Sequence, residues 1–168
     1  MKNRLENKLI KHFIKEELVL FINSDSEIFK EAIDLALSDN QPQAWRSAWL
    51  LGHCMQKNDQ RLRNQVKAII EIIENKKDGH QRELLKILEK MEIDENQEGT
   101  LFNICMNIWE AINKSSSVRI VAFRLLIKIV KKYPELNKEI EFLSQRHYIN
   151  TLSPGIRHSF EKIIKKSS

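Results

Sequence analysis

Apolar residues recur along this chain at intervals of three and four, and no segment alternates strictly as a half-buried strand would. Leu9, Phe13 and Val19/Leu20 approximate one face of an opening helix predicted from about Leu5 to Ile22. Ile28, Phe29, Ile33 and Leu37 carry the second stripe, and Trp45, Trp49, Leu50 and Met55 the third. Leu62, Val66, Ile69, Ile70 and Ile73 follow, then Leu84, Leu85, Leu88 and Met91, then Leu101, Cys105, Ile108 and Ile112. The densest run is SSSVRIVAFRLLIKIVKKYPEL, residues 115–136; beyond it lie Leu136, Ile140 and Leu143, and finally Ile156, Phe160, Ile163 and Ile164. The pattern predicts eight or nine helices joined by short turns and no strand, an all-α chain.

Stop and start signals separate the stripes. Ser24 and Glu27 stand three apart, in the form of a capping box, and Asp94 with Gln97 repeats the spacing. Pro42 and Pro154 suit the first turn of a helix, where a missing N–H costs nothing. Asn58-Asp59 and Asp78-Gly79 break the periodicity, Lys114 to Ser117 forms a turn, and Pro134 ends the long apolar run.

Composition narrows the class. Among 168 residues there are only 4 Gly and 3 Pro, too few for many tight strand turns or a long flexible linker. No apolar run reaches the roughly 18 residues of a spanning helix, and Leu18 to Ile22 is too short for a signal peptide. The chain therefore reads as a soluble, cytoplasmic protein with no membrane partner. Cys54 and Cys105 each fall on an apolar helix face, outside any C-x-x-C pair, so both read as reduced and structural. The net charge of +5 is uneven: residues 114–168 carry 12 Lys/Arg against 4 Asp/Glu, and residues 1–113 carry 16 against 19. Basic character belongs to the C-terminal third.

Four arginines recur near helix starts: Arg46 in AWRSAW, Arg82 in HQRELL, Arg119 in SVRIVAF and Arg157 in GIRHSF, at intervals of 36, 37 and 38. An apolar residue follows each at the third position, namely Trp49, Leu85, Ala122 and Phe160. A period near 37 with one helix pair per period marks an α-solenoid, whose units bury their apolar faces by stacking on neighbours. Val118-Arg119 with Ala122 and Leu126, closing on Tyr133-Pro134, resembles the second helix of a HEAT repeat, as Ala48 to Gly52 does less closely. The resemblance implies one HEAT-like α-α superhelix over residues 1–168, with 1–23 as an N-terminal capping helix and about four hairpins in 24–166. It also implies a scaffold or adaptor without catalysis, whose second helices line a concave face that holds a protein or peptide partner.

On that reading the long helix shows its polar stripe to a binding groove. Arg124, Lys128 and Lys131 share one side of it, and Lys162 and Lys165 join them from the last helix, a set suited to an acidic partner. Nucleic acid is the alternative partner, on a basic face of Arg124, Lys128, Lys131 and Lys132 with Lys162, Lys165 and Lys166 of the last helix, although Phe123 and Phe160 read as buried and leave no interleaved aromatic. Arg119 lies on another side, placed to satisfy the adjoining turn, and the four repeated arginines read as structural. Trp45 and Trp49, four apart, read as core rather than as a stacking pair.

Catalytic and metal chemistry find no footing. His53 and Cys54 point in different directions, and His12, His80, His147 and His158 are scattered, without ligand spacing. No phosphate loop, nucleophile elbow or acid/base dyad is present, and no cofactor is expected. Ser115 to Ser117 reads as a turn and cap; the chain does not resemble adenylosuccinate lyases, a far longer family whose mobile serine-bearing loop has no counterpart here.

Overall fold

The computed structural model describes residues 4–11 and 14–168. Phe13 and His12 lie outside the described residues. Eleven α-helices follow in order among those described: α1 (Arg4–Lys11), α2 (Lys15–Asn23), α3 (Ser26–Leu37), α4 (Gln43–Cys54), α5 (Val66–Ile72) and α6 (Asp78–Lys90), then α7 (Glu95–Glu110), α8 (Ser116–Val130), α9 (Asn137–Leu143), α10 (Arg146–Ile149) and α11 (Pro154–Ser167). Short 3₁₀ turns occupy Gln60–Gln65, Ile73–Asn75 and Pro134–Leu136. No strand occurs among the described residues.

The single opening helix of the sequence reading is instead two. α1 ends at Lys11 and α2 begins at Lys15, so the phase of the apolar face restarts. Leu5 and Leu9 are buried from α1 and Leu18 and Ile22 from α2, while Leu20, assigned to the face by periodicity, is 72% exposed. Similarly, the segment after Pro134 divides into α9 and α10 at Ser144-Gln145.

Two capping assignments also move. Asp25, not Ser24, caps α3: its carboxylate accepts from the Glu27 N–H at 2.8 Å. Ser24 closes α2, its N–H and hydroxyl both donating to the Phe21 carbonyl at 3.2 and 2.6 Å. Asp94 precedes α7 but makes no side-chain cap, and Pro42 stands just before α4 rather than in its first turn.

The chain forms two compact units, residues 1–92 and 93–168. In the first, α1/α2, α3/α4 and α5/α6 are successive hairpins, and α2, α4 and α6 lie side by side. Their polarity follows from their end contacts: Asn23 Nδ2 donates to the Cys54 carbonyl at 3.4 Å, and the Asn58 N–H donates to the Lys90 carbonyl at 2.8 Å, so all three C-termini meet. The three run parallel. Close α3–α4 packing is possible because Ala44, Ser47 and Ala48 are small; Ser47 Oγ donates to the Ala32 carbonyl at 2.7 Å, removing the cost of a buried hydroxyl.

In the second unit α7 pairs with α8, and α9–α10 leads to α11, which packs on α8. The core is a stacked aromatic group: the Trp109 ring lies 4.6 Å from Phe123 and 5.5 Å from Phe160, with Phe123 and Phe160 4.9 Å apart. The burial expected of both phenylalanines is met.

Candidate functional site

Helix α8 is central to the second unit rather than a helix with one broad solvent face. Val118 to Phe123, Leu125 to Ile127, Ile129 and Val130 are all buried. Arg124 and Lys128 emerge only as a half-buried stripe, each already engaged in interactions, and Lys131 is exposed at the helix end. Lys132 turns toward α7, where its ammonium pairs with the Glu98 carboxylate while the Tyr133 hydroxyl donates to the other oxygen at 2.7 Å. Burial raises the Glu98 pKa, but the bonds from Lys132 and Tyr133, with the nearby charge of Lys128, leave it below its ordinary value.

Beside Lys131 the C-terminal parts of α8 and α11 and the whole of α9 bound an open groove of about 570 Å³. Ile127, Val130, Ile140 and Ile164 give it an apolar floor; Lys131, Glu141 and the serines at the end of α11 give it a polar rim. Lys162 and Lys165 are exposed on α11. At 100° per residue, Lys162 stands on the side of α11 opposite the groove-facing Ile164, and Lys165 stands beside it. Of the five basic positions read from the sequence, only Lys131 lines the groove.

The recurring arginines have a structural task. Arg46 donates from Nη1 to the Leu9 carbonyl at 2.8 Å, in the last turn of α1. Arg119, fully buried, donates from Nε to the Trp109 carbonyl at 2.8 Å, from Nη1 to Thr151 Oγ1 at 2.8 Å and from Nη2 to the Tyr148 carbonyl at 3.0 Å. Arg157 Nη2 reaches the carbonyls of Asn150 and Leu152 at 3.3 and 3.4 Å. Carbonyls at helix C-termini lack intrahelical donors, and these guanidinia supply them: Arg46 to the preceding hairpin, Arg119 to its own and the next, Arg157 to the segment before its own helix. Arg82 differs, pairing with adjacent Glu83 at 2.9 Å.

These arginines sit on α4, α6, α8 and α11, the second helices of four successive hairpins, and a HEAT repeat domain profile matches residues 1–167. The chain belongs to the HEAT repeat domain family. No curated protein and no solved structure is similar enough to match it. HEAT repeat domains are helical-repeat scaffolds that commonly mediate protein interactions.

In this HEAT repeat protein the tryptophan reading needs correction. Trp45 is 36% exposed and Trp49 half-buried, neither in the core. Their side of α4 is left outward because the small residues on its other side do the packing. Trp45 lies against Gly79, where a Cβ would sit 3.5 Å from the indole nitrogen. Trp49 meets His53 edge to face at 4.7 Å.

His53 is exposed and Cys54 buried, pointing apart as expected. Burial pushes the Cys54 thiol up to about 11, and the Cys105 thiol is also raised by burial, so neither is a ready nucleophile. No cluster of metal-binding side chains occurs among the described residues, and no described helix is long and apolar enough to cross a membrane.

Proposed function

We propose that this HEAT repeat chain is a non-catalytic docking module, and that the α8–α9–α11 groove receives an acidic, amphipathic segment of a protein or peptide partner. Residues 1–168 act in this reading as one repeat domain, with 1–23 as its cap. The observation that carries it is the groove itself: an apolar floor with the Lys131 ammonium on its rim. An amphipathic segment would bury its apolar side on Ile127, Val130, Ile140 and Ile164. Its acidic side would face Lys131, with Lys165, Lys162 and the α8 stripe of Arg124 and Lys128 adding longer-range attraction.

Nucleic acid on these same basic residues is the weaker reading, because Phe123 and Phe160 are buried and offer no base a stacking surface. No cofactor enters the proposal. Cys54 and Cys105 are buried and unpaired, which accords with a reducing cytoplasm.

Selection of a displayed random-peptide library on the intact chain tests the groove. Enriched peptides are expected to combine acidic and apolar residues and to lose at least tenfold in affinity for a Lys131→Glu/Lys165→Glu variant. A selection without acidic bias, or peptides that bind the folded variant equally well, would count against the groove.

A further inference from the structure

The face of the first unit formed by α2, α4 and α6 combines aromatic rings and ammonium groups in a way the C-terminal third does not. Along α4, Trp49, Gly52 and His53 share one side, being three and four residues apart. The rings of Trp49 and His53 touch at 4.7 Å, and a Cβ at Gly52 would meet nothing within 4 Å, so the helix surface beside them is open. From α6, Lys90 crosses to this ridge and donates its ammonium to the Gly52 carbonyl at 2.5 Å. Lys86 lies one turn earlier on α6 and Lys15 begins α2, with side chains 42% and 41% exposed.

All three lysines act on the His53 ring. Burial is the first cause of its lowered pKa, and Lys15, Lys90 and Lys86 each lower it further, with Glu83 opposing. The imidazole is therefore held neutral at pH 7 and adds a flat, uncharged ring beside the indole. Two acids beside these lysines are paired: Glu83 is buried and paired with Arg82 and, at 3.7 Å, with Lys86, while Glu16 pairs with Lys15 at 3.7 Å.

We infer that this face binds single-stranded nucleic acid, with a base stacked on Trp49, the edge-on His53 ring beside it, and flanking phosphates held by Lys15, Lys86 and Lys90. A stretch of acidic protein would satisfy the lysines but leave the aromatic pair unused; a duplex would offer phosphates but no unstacked base. A single strand uses both, since stacking on an aromatic ring and phosphate contact with cations are its two general modes of recognition. The inference does not rest on the peptide groove, which is built from other helices.

The test is fluorescence anisotropy of a labelled oligothymidine strand against the intact chain, with duplex DNA and polyglutamate as competitors. The single strand is expected to bind at low salt, with a logarithmic salt slope near −2, as three lysines at about −0.7 per phosphate require. Binding should also quench indole emission. Trp49→Leu should weaken binding by roughly ten- to a hundredfold, the range for loss of one stacked base. Lys15→Gln/Lys86→Gln should flatten the salt slope by about 1.4. The Lys131→Glu/Lys165→Glu variant should bind the strand normally, separating this face from the groove. Melting curves establish that each variant is folded, and Trp49→Phe, which keeps a ring, should retain most affinity if Trp49→Leu loses it. Absence of binding, equal displacement by polyglutamate or duplex, or loss of affinity only in the Lys131/Lys165 variant would each overturn the inference.

Discussion

Arg119 meets Trp109 twice: its Nε donates to the Trp109 carbonyl at 2.8 Å, and its guanidinium carbon lies 4.9 Å from the Trp109 ring. The same side chain bonds Tyr148 and Thr151 on the next hairpin. Burial lowers its pKa, yet a guanidinium keeps its proton well above neutrality, so a fully buried cation is held by three acceptors and a ring face.

Replacing Arg119 with Met removes the donors while keeping most of the volume. The Trp109 carbonyl then loses this donor in a buried place, while the Tyr148 carbonyl keeps the Thr151 hydroxyl, at a cost on the order of 1–3 kcal/mol. Arg119→Lys should recover only part of this, because one ammonium does not reproduce the planar fork. Urea unfolding of the two variants and the parent chain measures the ranking. A loss below about 0.5 kcal/mol for Arg119→Met would show that the bonds contribute little.

His80 makes stability depend on pH. It is buried, with Nε2 bonding the Ala36 carbonyl at 2.7 Å and Nδ1 facing Gln41 Nε2 at 2.9 Å, an arrangement that uses one ring N–H and one lone pair. Burial and then the charge of Lys76 lower its pKa, while the Ala36 bond and Asp39 oppose them. The unfolded chain thus takes up the proton first, and stability falls as pH drops below about 6.5. The lowered pKa of His53 acts in the same direction. Melting temperature should fall between about pH 7 and pH 5, and His80→Gln should reduce that fall. An undiminished fall would assign the effect elsewhere.

Tyr133 offers a spectroscopic check on the Glu98 cluster. Its phenol is pushed up to about 12, first by its bond to Glu98, then by burial and the charges of Glu98, Glu95 and Glu135. Glu98→Gln removes the charge and keeps the shape, so the phenol should titrate closer to its ordinary 10.0 in a phenolate absorbance titration. Tyr148, raised first by burial and then by Glu110, should not move. Superimposable titrations of parent and variant would mean that Glu98 does not govern the phenol.

The helical architecture was legible because burial in a repeat stack is written as spacing. What spacing leaves open is which face is covered. Trp45 and Trp49 share a side of α4 that periodicity alone assigned to the core, yet Ala44, Ser47 and Ala48 provide the closer approach to α3, and the large rings were left outside. The Ser24–Glu27 pair had the right spacing, but Asp25 stood one residue nearer and its carboxylate took the cap. The basic run of the C-terminal third was read correctly as charge, but its geometry depended on which neighbours claimed each ammonium. Lys132 went to Glu98, and Lys131 alone reached the groove. The Lys15, Lys86 and Lys90 arrangement was invisible because its members come from two helices far apart in sequence, in a segment without net positive charge.

The bridge made by Arg119 also bears on how the second unit comes apart. A stack held only by nearest-neighbour apolar contact can fray one hairpin at a time, each opening on its own clock. Here a single guanidinium spans the end of α7 and Tyr148 of α10 with Thr151 just beyond it, so release of either side strands a buried cation. The two hairpins should share one opening event, with slow-exchanging amides of α7 and α11 losing their protection together.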